Sequence, residues 1–94
     1  MWEENNFAPF VSYELAMIKI RSLTPEIREE LTNIANLFKA KIVDVQRNSL
    51  TMRITGREDR IEALLEMLKD YEIIEIARTG QISLSRGEPA VKDM

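Results

Sequence analysis

The side chains best suited to catalysis near neutral pH are missing from this sequence: its 94 residues include no histidine and no cysteine. Without imidazole or thiol, nucleophilic machinery of the Ser-His-Asp or Cys-His type cannot be assembled, and zinc, nickel and copper lose their usual ligands. Carboxylates, lysines, tyrosines and hydroxyls remain. Asp44 and Glu75 are the most suggestive acids, because both fall on predicted strands and on the sheet face turned away from the helices. Two carboxylates do acid–base work where a desolvating pocket separates their pKa values. Nothing in the flanking sequence promises such a pocket, so solvated or salt-bridged acids are the preferred reading. Thr55-Gly56-Arg57, ahead of a predicted helix, has the form of a helix start that could cradle an anion, but one glycine is a weak signal and capping accounts for it. No motif for a phosphate-bearing cofactor or a metal is present, so no cofactor, no metal and no enzymatic activity are expected.

The rest of the composition narrows the partners. Apolar residues at 45% and charged ones at 31%, with three glycines and three prolines, describe an ordinary globular chain long enough for one thin-cored domain. A net charge of −3 lacks the basic footprint that neutralising several phosphates requires, so no nucleic acid is expected. No apolar run approaches the roughly 20 residues that span a bilayer, and the start MWEENNFAPF has neither a basic leader nor a signal-peptide core. The expectation is a cytoplasmic protein with no membrane association.

Hydrophobic periodicity supplies the elements. Residues 1–13 carry Trp2, Phe7, Phe10 and Tyr13 without a period and read as an N-terminal arm or linker. From Glu14, the residues Ala16, Ile18 and Ile20 alternate with Leu15, Met17, Lys19 and Arg21, which predicts a strand over 14–22 with one buried face. Thr24 before Pro25 starts a helix over 25–39, with Ile27, Leu31, Ile34, Ala35 and Phe38 on one stripe. Residues 41–46 and 49–55 form a predicted hairpin turned at Arg47-Asn48, where Asn48 tolerates positive φ. Thr55 and Glu58 fit a capping box for a second helix over 57–70, marked by Ile61, Leu64, Leu65 and Leu68. Residues 73–87 return to strand character, and Arg78 and Gly80 break the apolar parity, which predicts a bend or bulge. Residues 88–94 are a polar tail.

The order β-α-β-β-α-β fits a ferredoxin-like α+β sandwich, a four-stranded antiparallel sheet with two helices on one face. A shift of 34 residues, which brings Ile27 onto Ile61, Leu31 onto Leu65, Ile34 onto Leu68 and Ile42 onto Ile76, is consistent with a duplicated βαβ unit. RNA recognition on this scaffold needs aromatics on the two central strands, and copper or nickel handling needs Cys or His; all are absent. The sheet face away from the helices is more informative. It is expected to hold Leu15, Met17, Lys19 and Arg21 beside Arg53, flanked by Ile42, Asp44, Ile73 and Glu75. Such an apolar group gains burial under a second copy, so a two-fold homodimer is expected, with Arg86 near the end of the last strand at a partner contact. Coverage of the same face by residues 1–13 or by the tail is the alternative.

Four strings carry a family resemblance: ELAMIK at 14–19, AKIVDV at 40–45, SLTMRITG at 49–56, and EIARTG followed by LSRG at 75–80 and 84–87. In order and spacing they resemble the C-terminal domain of the acetolactate synthase small, or regulatory, subunit. The resemblance covers about 14–87 and implies an ACT-like regulatory domain in branched-chain amino-acid biosynthesis. There a thiamine-diphosphate-dependent large subunit does the chemistry, so the implied partners are that large subunit and a second copy. By this reading the isolated chain makes no acetolactate from pyruvate. In such small subunits an N-terminal ACT domain binds the inhibitory amino acid, commonly valine. Its Asn- and Gly-bearing motif has no counterpart in these residues and Asn5 and Asn6 do not stand in for it, so the small-molecule effector stays unassigned. The start at Met1 fits either a chain cut in the interdomain linker or a short reading frame. The competing reading is a stand-alone ACT-like regulator that binds a small molecule.

Overall fold

The computed structural model describes residues 10–87. The expected packing of Trp2 and Phe7 and the polar tail 88–94 lie outside the described residues. Within them run β1 (Phe10–Arg21), α1 (Pro25–Leu37), β2 (Lys41–Val45), β3 (Ser49–Gly56), α2 (Glu58–Met67), β4 (Ile73–Arg78) and β5 (Ile82–Ser85). The sheet order is β2-β3-β1-β4, with β5 also paired to β1 and every pairing antiparallel. This is the expected ferredoxin-like α+β arrangement with β1 and β3 central, carrying five strands where four were expected.

Alternation fixes the buried face. Ala16, Ile18 and Ile20 of β1 and Leu50, Met52 and Ile54 of β3 are withdrawn from solvent, and the helices close over them with Leu31, Ile34, Ala35, Ile61, Leu64 and Leu68. Thr24 caps α1 as expected, its Oγ1 accepting from the Ile27 amide at 3.2 Å. The other end of α1 closes with Lys39 at φ 57, while the Ala40 amide donates to the Ala35 carbonyl and the Lys39 amide to the Asn36 carbonyl. That is a Schellman closure built on a lysine where glycine is usual. The Phe38 carbonyl accepts from Arg60 Nη2 of α2 at 2.8 Å, a cation placed at the negative end of a helix.

Several local expectations are corrected. The capping box does not form: Arg57 occupies the N-cap of α2 without a side-chain cap bond, because Thr55 and Gly56 are still paired in β3. Gly56 is needed there for space, since a Cβ would stand 2.8 Å from Arg60 Cδ. Asn48 keeps negative φ, because the β2–β3 turn closes through the Gln46 amide donating to the Ser49 carbonyl at 2.9 Å.

The larger correction concerns both chain ends. β1 begins at Phe10 rather than Glu14, so residues 10–13 of the expected arm are strand. They become strand by pairing with β5, Phe10 opposite Ser85 and Tyr13 opposite Ile82. The expected single strand over 73–87 is divided between β4 and β5 at Thr79–Gln81, where Gly80 takes φ +76. The resulting two-stranded ribbon contributes nothing to the core cluster, and the molecule is drawn out to 54 × 22 × 18 Å.

Candidate association surface

On the sheet face away from the helices, β1 presents Leu15, Met17, Lys19 and Arg21, since its even-numbered residues are buried beneath the helices. Register places Thr55 beside Leu15, Arg53 beside Met17 and Thr51 beside Lys19 on one side, and Ala77 beside Met17 and Glu75 beside Lys19 on the other. Lys41 lies opposite Arg53, and Asp44 opposite Thr51. Of the residues expected on this face, Leu15, Met17, Lys19, Arg21, Asp44, Arg53 and Glu75 are therefore brought together. Arg86 follows β5, exposed, at the ribbon's far end.

Ile42 and Ile73 are not on this face. Ile42 pairs with the buried Met52 and Ile73 with the buried Ile20, and both pack against the core under the helices. Each edge strand has a register shift, between Ile42 and Asp44 in β2 and opposite Lys19/Ile20 in β4, so one extra residue reverses the parity that places Asp44 and Glu75 outward.

Several charged side chains of this sheet are paired within the chain. Lys19 Nζ meets Glu75 at 3.2 Å, Arg21 Nε meets Glu72 at 3.1 Å, and Asp44 accepts from Gln46 Nε2 at 3.0 Å. Asp44 and Glu75 stand on opposite edge strands, three strand spacings or roughly 14 Å apart, so they do not form an acid pair. A shallow depression of about 230 Å³, lined by Met17, Lys19, Thr51, Glu75 and Ala77, lies between them. Among the described residues no group of three or more acidic, His or Cys side chains is placed to hold a metal, and no helix is long and apolar enough to cross a membrane.

The structure adds one cluster that sequence reasoning passed over. Glu14, almost fully buried, accepts from Arg78 Nε at 2.8 Å and Nη2 at 3.1 Å, while Arg78 Nη1 donates to Glu62 of α2 at 2.8 Å. The Arg78 guanidinium holds the Glu14 carboxyl below the usual carboxylate range despite its burial, and the Gly80 amide assists. Hydrogen bonds to Glu14 and Glu62 in turn push the guanidinium of Arg78 upward. Next to this clamp, the Leu15 amide donates to Thr79 Oγ1 and the Thr79 amide to the Leu15 carbonyl, each at 3.0 Å. The cluster therefore fastens the β4–β5 junction to β1 and α2. Its signal in the sequence was Glu14 and Arg78 occupying the buried parity of their strands, where an unpaired charge is costly.

With this geometry in hand, comparisons with known proteins agree on one family. The family described as "Small subunit of acetolactate synthase" matches residues 13–87. The acetolactate synthase small subunit of Bacillus subtilis is 48% identical over 77 residues, covering 82% of this chain and 44% of the relative. That of Mycolicibacterium smegmatis is 47% identical over 85 residues, covering 90% and 48% respectively. Among solved structures, the acetolactate synthase small subunit from Thermotoga maritima superposes with a TM-score of 0.77 at 32% identity, over 88% of this chain and 50% of that one. The chain thus spans about half the length of the relatives it matches, each of them named as a small subunit. The family match over 13–87, the relatives at 47–48% identity and the superposed small-subunit structure lead to one statement: this chain belongs to the acetolactate synthase small-subunit family.

Proposed function

We propose that this chain is a non-catalytic regulatory and association domain that acts on the catalytic large subunit of acetolactate synthase, in branched-chain amino-acid biosynthesis in the cytoplasm. The observation that carries this reading is the family match over most of the folded part. Mixing the purified chain with a catalytic large subunit should give co-purification or a change in acetolactate-forming rate at micromolar concentrations. The absence of both effects would overturn the reading.

The same face is proposed to join two copies through two-fold symmetry, the commonest symmetry of soluble assemblies. Leu15 and Met17 supply its apolar centre, and Met17 is 42% exposed in the single chain. Burial of this centre should outweigh the charges around it, because exposed ion pairs contribute only about 0–1 kcal/mol each. Met17→Asp is therefore expected to dissociate the dimer and Arg53→Ala to weaken it little, as read by light scattering coupled to size exclusion at several concentrations. A dimer that survives Met17→Asp would remove this face from consideration.

A further inference from the structure

β4 and β5 pair with β1 one residue out of step. Arg78 stands opposite Ala16 and Ile82 opposite Tyr13, so residues 79–81 span the stretch that Glu14 and Leu15 span in β1. A ladder continued in step from β4 would instead set Ile82 opposite Ser12 and Leu84 opposite Phe10. Because opposed residues share a face, the extra residue decides where Ile82 and Leu84 point. In the observed register they stand with Val11 and Tyr13 on the open face, whereas in step they would turn to the face continuous with the helices.

Burial does not choose between these registers. A register is strongly specified where one face of a strand is buried, and β5 has no such face among the described residues: Ile82, Ser83 and Leu84 are all exposed, and none of β5 belongs to the core cluster. Cross-strand partners help, since Val11 meets Leu84, and Ser12 Oγ and Ser83 Oγ are hydrogen-bonded at 2.7 Å, but pairs of this kind contribute little each. At the break itself, side chains take over from the ladder. The Thr79 amide donates to the Leu15 carbonyl at 3.0 Å, while the Leu15 amide donates to Thr79 Oγ1, also at 3.0 Å, where an antiparallel ladder would use the Thr79 carbonyl. The same hydroxyl donates to the Gly80 carbonyl at 2.7 Å, and Gly80 turns at φ +76. Arg78, the last residue of β4, is held there by Glu14 through Nε at 2.8 Å and Nη2 at 3.1 Å.

We propose that Glu14, Arg78 and Thr79 form a register lock, which holds β5 one residue out of step with β4 and so keeps Ile82 and Leu84 on the open face. Without the lock the ribbon shifts to the in-step register and its two faces exchange. The chemistry of the cluster suits this task better than plain stabilisation. A buried ion pair is weak evidence of stability, because apolar residues of similar volume often replace it without loss, and fixing a register is its best-attested use. The lock acts where the choice is made, at the three residues between the last in-step pair and the first shifted one.

The chain has no cysteine, so paired substitutions report the register through intrachain disulfide formation. Ser12→Cys with Ser83→Cys joins residues that are opposite in the observed register, and Ser12→Cys with Ile82→Cys joins residues that are opposite only in step. Under limiting oxidant the first pair should close about tenfold faster than the second in the otherwise unchanged chain. With Glu14→Leu and Arg78→Met added, which removes both buried charges and keeps apolar volume, the ratio should fall to about two or less. Circular dichroism melts check folding, and Thr79→Val, at an exposed position, gives the same reading with the ion pair intact should that background not fold. Deletion of Gln81 is the second arm, because it makes the in-step ladder and the Ser12–Ser83 pairing coincide. There the first pair should close with or without the lock. Equal rates in the unchanged chain, or a ratio still near tenfold in the lock variants, would overturn the inference. Loss of closure on removing the lock from the Gln81 deletion would overturn it too, since the cluster would then hold the ribbon together without setting its register.

Discussion

Replacing Ile18 by alanine is expected to lower the stability of this domain by about 2–5 kcal/mol, the usual range for a large-to-small change at a fully buried site. Ile18 has no exposure to solvent and sits in the middle strand, with Met52 of β3 opposite on one side and Ile76 of β4 on the other. Both helices close over this layer through Leu31 and Leu64, so the vacated volume is walled by parts that cannot all move inward together. A domain of this size has a total stability of roughly 5–14 kcal/mol, and 1 kcal/mol moves its midpoint by roughly 4–8 °C. The melting temperature should therefore fall by roughly 10–30 °C, measured by circular dichroism on the two proteins side by side. A fall of only a degree or two would show that the layer between sheet and helices is not packed as described. Methionine at the same position keeps most of the volume and should cost much less.

The second large effect is expected at the buried clamp, and it depends on pH. Glu14 is hydrogen-bonded by Arg78 and the Gly80 amide in the folded chain, which lowers its folded pKa below the value in the unfolded chain. A lowered carboxylate pKa stabilises the fold fully above the unfolded pKa, near 4.5, and the stabilisation is lost as pH falls through the folded value. The parent chain should thus lose melting temperature steeply below about pH 4.5, in the direction that linkage requires. Glu14→Gln removes the titrating group and leaves Arg78 with Glu62 as its acidic partner. The variant should melt lower at pH 7 and show a flatter acid limb, so that the two curves converge as pH falls below about 4.5. Parallel curves across pH 3–7 would exclude Glu14 as a main source of acid sensitivity. Arg78→Lys keeps a charge but loses the forked geometry that reaches Glu14 and Glu62 together, and should fall between the two.

Local sequence was sufficient for every element whose signal lies within a few residues. The alternation from Glu14 to Arg21 specifies a half-buried strand wherever it is placed, and Thr24-Pro25 followed by a 3.6-residue stripe specifies a helix with a defined start. The same local patterns gave the order of strands and helices, and the four strings that resemble the small-subunit family lie mostly on strands, with Thr79-Gly80 and Arg86-Gly87 beyond the ends of β4 and β5. The lack of His and Cys likewise disposed of whole classes of chemistry before any fold was known. Which face an edge-strand residue occupies was a different matter. Ile42 and Ile73 have neighbours as apolar as those of Leu15 and Met17, yet a one-residue register shift in β2 and another in β4 turned them under the helices. Residues 10–13 show no period of their own and became strand only because β5 lies beside them. The break at Arg78 and Gly80 was visible, but not its consequence, the transfer of Ile82 and Leu84 to the open face. Periodicity is a property of one strand, whereas parity is set by pairing between two, and a single inserted residue changes it without leaving a mark on composition. The tertiary structure therefore decided the face, through hydrogen bonds between segments some 60 residues apart such as Glu14 with Arg78 and Leu15 with Thr79.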